Sequence, residues 1–205
     1  MHYQILTKEQ NELLPYINKF SRTFYLVGGT AIALHIGHRR SVDFDLFTQS
    51  ELRKSEINKK LADFPFKKVR LFEDIDQIHI IINGIKITFF SFPYMIDHPV
   101  KLRQNILAPT LLTLSSMKAF ALGRRAKWKD YVDLYFILRD HYTIREINEE
   151  AEKNFGDFFS EKLFREQLAF HKDIDYSETV EFLLPAPSGD EIRQYLIEKA
   201  IDIDN

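Results

Sequence analysis

A diglycine break between a short apolar run and a helix-forming run constrains the fold more than any other feature of the sequence. The run Phe24 to Val27 is aromatic and β-branched, which is typical of a strand, and it stops at Gly28 and Gly29. Thr30 can then cap a helix that ends at Gly37. A strand, a glycine turn and a helix in this order predict a sheet backed by helices, with an irregular turn where the strand ends.

Two acidic residues alternate with apolar ones on the segment that follows. Between Val42 and Phe47, Asp43 and Asp45 occupy every second position, so a strand places both carboxylates on one face. Paired carboxylates are oxygen ligands for hard cations such as Mg²⁺, and glycine amides at a helix N-terminus suit phosphate. Alone, a Gly-Gly pair is usually a turn and an Asp-x-Asp pair a solvated strand face. Together they predict a metal–nucleotide site and nucleotidyl transfer.

The remaining patterns predict an α+β (α/β) fold, with a small mixed sheet backed by helices and a helical C-terminal half. Asn83-Gly84 between two β-rich runs is typical of a tight hairpin. Strands are expected near 24–27, 42–47, 78–82 and 85–90, and helices near 8–20, 30–36, 50–63, 109–122, 127–139 and 190–201. We expect a nucleotidyltransferase-like core over residues 1–108 and a helical part over 109–205 that packs on the core.

Composition excludes several classes of protein. The 205 residues carry a formal net charge of −2, so binding to nucleic acid requires a local basic patch. The absence of cysteine excludes disulfide scaffolds, thiolate metal sites and thiol nucleophiles, and it favours a reducing compartment. Charged residues interrupt the N-terminal segment, and no apolar run is long enough for a membrane span. We therefore expect a cytoplasmic protein with no membrane partner.

Two sequence blocks resemble a known family. Gly28-Gly29 followed by Asp43-Phe44-Asp45 matches the signature of the polymerase-β-like nucleotidyltransferases, and LVGGTAIALHIGHRRSVDFDLF resembles the opening motif of the AbiEii/AbiGii type. The block MKAFALGRRAKWKDYVDLYFIL resembles that family's second motif, and FREQLAFHKDIDYSE resembles a later one more loosely. Several members are toxins of abortive-infection and toxin–antitoxin systems. The likeness spans most of residues 20 to 182.

The resemblance implies roles for the residues of the first block. Gly28 and Gly29, with Thr30, would form the phosphate-binding turn. Asp43 and Asp45 would be catalytic carboxylates that hold Mg²⁺ or Mn²⁺.

The second block and the loop before Asp43 supply further candidates. By resemblance, Lys118 would be a catalytic contact to the phosphates, and Lys129 and Asp130 would complete the nucleotide pocket, with Asp133 one turn further on. Between Ser116 and Lys129 five basic residues and no acid form a local patch. Lys129 and Asp133 can alternatively pair on the helix surface.

The loop before the acidic strand has two readings at each polar position. Ser41 is a candidate to contact a nucleotide phosphate, or it merely ends the loop. His38, Arg39 and Arg40 either touch substrate or, more commonly for such a loop, are solvated.

One position departs from the superfamily pattern, which commonly has a third carboxylate on a later strand. The corresponding inward position is Thr88, whose hydroxyl is a poor base and a weak ligand for Mg²⁺. Catalysis then requires two acids alone, or another acid such as Asp74, Asp76 or Asp130.

The leading hypothesis is a Mg²⁺-dependent enzyme that transfers NMP from an NTP to a hydroxyl of RNA such as tRNA, of a protein or of a small molecule. A role as a toxin with an antitoxin partner follows from the resemblance. The alternative is a catalytically impaired nucleotide-binding regulatory or interaction protein, which Thr88 favours. A glycosyltransferase that uses Asp43 and Asp45 is disfavoured, because the 42 residues before Asp43 are too few for its nucleotide-binding sheet.

Overall fold

The computed structural model describes residues 1–122 and 124–202, which form two compact units. The first unit comprises Met1–Ile36 and Arg40–Thr110, and the second comprises Gly37–Arg39 and Leu111–Asn205. The sequence predicts a division at 108/109, and the chain passes from the first unit to the second between Thr110 and Leu111. The sequence does not reveal that three residues between Ile36 and Arg40 belong to the second unit.

A five-stranded mixed sheet is the centre of the first unit. Its strand order is β1-β2-β5-β4-β3, with β2 and β5 parallel and the other pairs antiparallel. The elements are α1 (Lys8–Ile17), β1 (Tyr25–Val27), α2 (Gly28–Ile36), β2 (Phe44–Thr48), α3 (Lys54–Ala62), β3 (Lys68–Glu73), β4 (Gln77–Ile82), β5 (Ile85–Ser91), β6 (Val100–Lys101) and β7 (Leu107–Ala108). Short 3₁₀ turns at Tyr3–Ile5, Asn18–Phe20 and Arg103–Asn105 connect them, and β6 pairs with β7.

The two faces of this sheet differ in burial because its strands alternate apolar and polar residues. One face is buried and carries Phe44, Leu46, Ile78, Ile80, Ile87 and Phe89. Phe89 packs against Phe20 and Phe24, at ring-centroid distances of 4.8 and 5.3 Å, which ties this face to the segment before β1. On the other face Asp45, Lys86 and His79 are half-buried. The sheet therefore has a packed face and a partly open face.

The second unit is helical. It contains α4 (Leu111–Leu122), α5 (Trp128–Asp140), α6 (Ile144–Phe155), α7 (Glu161–Ala169) and α8 (Gly189–Ile201), with a 3₁₀ turn at Gly156–Phe158. Helix α5 is buried from Asp130 to Leu138, and α6 begins with a capping box in which Thr143 and Glu146 bond reciprocally. The mixed sheet and the helical C-terminal half confirm the predicted fold class.

Several element boundaries differ from the prediction. Helix α2 begins at Gly28, so Thr30 lies inside the helix and is not its cap. Strand β2 begins at Phe44, which leaves Asp43 in the preceding loop. The predicted helix over 50–63 is shorter, and strand β3 was not anticipated because all six of its residues are exposed. Among the described residues, none of the helices is long and apolar enough to cross a membrane.

Candidate functional site

The glycine turn and the second acidic residue are in direct contact. Gly28 has φ of +73°, a conformation that glycine adopts without a steric penalty. A Cβ atom at this position would collide with the Asp45 carboxylate and would lie 3.1 Å from its Cγ. Register explains the contact, because Val27 lies opposite Asp45 in the antiparallel pair of β1 and β2. The first turn of α2 therefore begins beside a half-buried carboxylate.

The loop that carries Asp43 is held by Thr30. The Thr30 hydroxyl hydrogen-bonds the backbone carbonyl of Asp43 and lies 3.1 Å from the Ser41 hydroxyl. Gln10 of α1 donates a further hydrogen bond to the Ser41 carbonyl, at 3.0 Å. Thr30 is 1% exposed, so it fixes the backbone next to Asp43, and its direct contact with phosphate stays a prediction. Gly29 lies in the same first turn of α2.

Thr88 occupies the position on β5 directly opposite Asp45, which is where a third carboxylate of the superfamily would be expected. The acids suggested as substitutes lie elsewhere in the first unit. The backbone carbonyl of Asp76 accepts a hydrogen bond from the amide of Ser91, which lies three residues along β5 from Thr88. That spacing corresponds to roughly 10 Å along the strand. Asp74 is exposed, and its carboxylate accepts a bond from the Ile75 amide.

The donor set fits a hard divalent cation held jointly by protein and substrate. Asp43 and Asp45 supply carboxylate oxygens, and Asp45 adjoins an open backbone turn. Within residues 1–122 and 124–202, no three His, Asp or Glu side chains are grouped as a complete metal site. Mg²⁺ is ordinarily bound through one or two carboxylates, with phosphate oxygens and water as the other ligands. The Asp45 carboxylate beside the glycine turn supplies one such ligand, and Asp43 in the adjoining loop is the candidate for the second.

A cavity of about 320 Å³ in the first unit lies away from this turn. It borders the start of β1 and the segment after β2, whereas Gly28 and Asp45 are at the other end of these strands. Its lining mixes bases such as Arg22 and Lys60 with acids such as Glu56. We therefore place the candidate site at the glycine turn.

The second-block residues form a buried charge cluster within the second unit. Lys118 donates to Asp130 at 2.7 Å and lies 3.0 Å from Asp133. Asp133 also accepts two bonds from Arg39, at 2.7 and 2.9 Å, and one from His38 Nε2 at 2.7 Å. All five side chains are less than 9% exposed, with Asp133 and His38 at 0%. Two buried cations thus face two buried carboxylates, with His38 as an additional donor, and exposed Arg125 also binds Asp130 at 3.0 Å.

The ionisation of this cluster follows from burial and pairing. Burial alone would raise the pKa of Asp133, but Arg39 and Lys118 outweigh it and hold that pKa well below its usual value. Burial would likewise lower the pKa of Lys118, and the two carboxylates raise it instead. Burial lowers the pKa of His38, so its imidazole is neutral near pH 7. Because Nε2 must donate to Asp133, Nδ1 is unprotonated, and it has no partner among the described residues.

Three interpretations of the sequence are corrected here. His38 and Arg39 are not solvated loop residues but are buried against Asp133. Lys129 does not pair with Asp133, since its ammonium lies 3.0 Å from Glu178 and Asp133 is buried. The sequence analysis named His38 and Arg39 but missed their shared partner Asp133, which is more than ninety residues away.

Comparisons with known proteins identify the family of the chain. Residues 16–104 match the family model described as the nucleotidyl transferase AbiEii toxin of type IV toxin–antitoxin systems. An uncharacterized protein of Aquifex aeolicus is 32% identical over 156 residues, which cover 73% of this chain and 76% of the relative. The chain belongs to the AbiEii nucleotidyltransferase toxin family. The family match includes Gly28, Asp43 and Asp45, whereas Lys118 lies beyond it.

Solved structures share the fold of most of this chain. The nucleotidyltransferase toxin MenT4 of Mycobacterium tuberculosis has a TM-score of 0.64 at 13% identity, covering 93% of this chain and 81% of MenT4. JHP933 of Helicobacter pylori has a TM-score of 0.54 at 13% identity, covering 95% and 91%. At these identities the likeness concerns the fold. These structures assign no role to individual residues of this chain.

Proposed function

We propose that this AbiEii protein transfers a nucleoside monophosphate from a nucleoside triphosphate to an acceptor hydroxyl, with release of pyrophosphate. The observation that carries the proposal is the contact between the Gly28 turn and the Asp45 carboxylate. It places backbone amides suited to phosphate next to an acid suited to a cation. Asp43 is held in the adjoining loop by Thr30.

Each candidate site residue of the first unit then has a chemical role. The amides of Gly28 and Gly29 bind phosphate oxygens at the start of α2, where the helix dipole also favours an anion. Asp43 and Asp45 hold Mg²⁺ or Mn²⁺, which supplies positive charge against the triphosphate when it is bound. The acceptor oxygen forms a bond to the α-phosphorus. The bond between the α-phosphorus and the oxygen that bridges it to the β-phosphorus breaks, and pyrophosphate leaves. Positioning and charge are the main demands of this reaction on the protein.

The acceptor class and the biological role are proposed from the family alone, and three acceptor classes stay open. An RNA such as tRNA, a protein or a small molecule each offers a hydroxyl, and a toxin of this family implies an antitoxin partner. Growth arrest on expression of the wild type, absent for Asp45→Asn, would support the toxin role. Unimpaired growth with active wild-type enzyme would contradict it.

A second candidate function is nucleotide binding without turnover. Thr88 favours it, because a hydroxyl lies opposite Asp45 where a carboxylate would act on metal and acceptor. Both candidates require binding of Mg·NTP at Asp43 and Asp45. They differ in whether labelled phosphate reaches an acceptor.

The test is incubation with each α-³²P-labelled NTP, MgCl₂ and either total RNA or cell lysate. We expect a labelled product with the wild type and none with Asp45→Asn. Asp97→Asn is the matched control, since it neutralises an exposed carboxylate of the same unit. Binding without any labelled product would favour the second candidate, and retained transfer by Asp45→Asn would refute the metal role.

The second-block residues require a separate test because their side chains differ in burial. Lys129→Gln removes a charge from a side chain that is 25% exposed and leaves the buried cluster intact. Lys118→Met and Asp130→Asn break ion pairs, so their thermal stability must be measured alongside. We propose that all three substitutions weaken NTP binding. Unchanged affinity in folded variants would assign these residues a structural role.

A further inference from the structure

His79 lies in the same cross-strand row as Asp45. The register places Asp45 of β2 opposite Thr88 of β5, and Thr88 opposite His79 of β4. Residues directly opposite one another across a sheet project to the same face. Two strand spacings place the His79 backbone roughly 10 Å from that of Asp45. The row continues to Val27 beyond Asp45 and to Phe72 beyond His79.

Within this row, the imidazole of His79 is suited to accept a proton, whereas the hydroxyl of Thr88 is a poor base. The two ends of the row, Val27 and Phe72, are apolar, and Asp45 belongs to the proposed cation-binding pair. The imidazole is half-buried on the partly open face of the sheet. On the side away from Asp45 its ring faces the Phe72 ring, with centroids 5.5 Å apart.

The surroundings of His79 keep the imidazole neutral. Partial burial lowers its pKa from the ordinary value of 6.5, and nearby Lys86 lowers it further. The negative charge of Asp45 opposes both effects without reversing them. A neutral imidazole has one nitrogen lone pair available near pH 7.

We propose that His79 is the general base of the reaction. It acts in place of the superfamily's third carboxylate, whose position is occupied by Thr88. This inference rests on the proposed function. As the acceptor oxygen bonds to the α-phosphorus, its proton passes to the free ring nitrogen of His79. The electron pair of the breaking bond leaves with pyrophosphate, and the imidazolium later returns its proton to water. His79 thus contacts the acceptor, whereas the Gly28 turn and Asp45 hold the nucleotide.

The experiment compares the wild type with His79→Ala and His79→Gln, the latter preserving size and polarity. Gln77→Ala is the matched control, because Gln77 lies two residues away on the same strand and face. Each variant is assayed for kcat and KM, and for binding of the α,β-methylene NTP analogue with MgCl₂ by calorimetry. A fifth protein, His79→Ala combined with Thr88→Asp, returns a carboxylate to the position opposite Asp45.

General-base catalysis typically contributes 10²- to 10⁴-fold, so we expect kcat to fall about 100-fold or more in both His79 variants. Analogue affinity should stay within about twofold, because His79 does not hold the nucleotide. Gln77→Ala should retain wild-type kcat, and Thr88→Asp should restore at least about tenfold to His79→Ala.

Two results would overturn the assignment of His79 while leaving the transferase in place. One is wild-type kcat in His79→Gln, and the other is a loss confined to analogue binding. Absence of transfer by the wild type with every NTP would overturn both this inference and the proposed function.

Discussion

Replacing Gly28 by alanine tests the contact between the turn and the carboxylate energetically. Alanine at φ of +73° must adopt the left-handed region of backbone conformation, which destabilises the folded state by about 1–2 kcal/mol. The new Cβ also meets the Asp45 carboxylate, and groups in direct contact commonly couple by about 0.5–3 kcal/mol. Gly28→Ala should therefore lower the free energy of unfolding by roughly 2–5 kcal/mol.

A matched control separates the two contributions. Gly84 has φ of +78°, and a Cβ there would meet nothing within 4 Å. Gly84→Ala should consequently cost about 1–2 kcal/mol from backbone strain alone. In an Asp45→Ala background the colliding oxygen and Cγ are absent and only the Cβ of residue 45, at 3.3 Å, remains, so Gly28→Ala should cost little more than Gly84→Ala.

The assay is urea denaturation followed by far-UV circular dichroism for the wild type, Gly28→Ala, Asp45→Ala, their combination and Gly84→Ala. The predicted signature is a positive coupling between positions 28 and 45 in the double-mutant cycle. Equal penalties for Gly28→Ala in both backgrounds would refute the contact and, with it, the basis for placing phosphate and cation together.

Three further predictions concern the second unit. Asp133→Ala leaves buried Arg39 and Lys118 without a shared carboxylate and should destabilise the protein by about 3–5 kcal/mol in urea denaturation; a loss below 1 kcal/mol would contradict the cluster. The pKa of His38 is lowered in the folded state, so the free energy of unfolding should be highest above pH 6.5 and should fall below pH 6.5, where the unfolded chain takes up a proton at His38. His38→Gln should flatten the pH profile of stability below pH 6.5. An unchanged slope in this variant would count against a buried neutral imidazole. Thr143→Ala removes the helix cap of α6 and should cost about 1 kcal/mol, measured by thermal melting, whereas no change would show that the cap is dispensable.

The local patterns predicted the centre of the first unit well, because each rests on neighbouring residues. Alternation identified β2, Asn83-Gly84 identified the hairpin of β4 and β5, and the diglycine break located the start of α2 within two residues. The same patterns missed β3, whose exposed residues mix charges with apolar side chains. An edge strand without a buried face carries little periodic signal.

The charge cluster was beyond reach of the sequence because its partners are distant along the chain. Sequence neighbours suggested a pair between Lys129 and Asp133, whereas Asp133 binds His38 and Arg39, 95 and 94 residues away. A loop rich in His and Arg is ordinarily solvated. Burial of these side chains depends on a carboxylate that only the tertiary structure brings to them.

A crystal structure with MgCl₂ and the α,β-methylene NTP analogue tests the central claim most directly. The account predicts a cation bound to the carboxylates of Asp43 and Asp45, and phosphate oxygens within hydrogen-bonding distance of the Gly28 and Gly29 amides. A nucleotide bound elsewhere, with the glycine turn and both aspartates free of ligand, would contradict it.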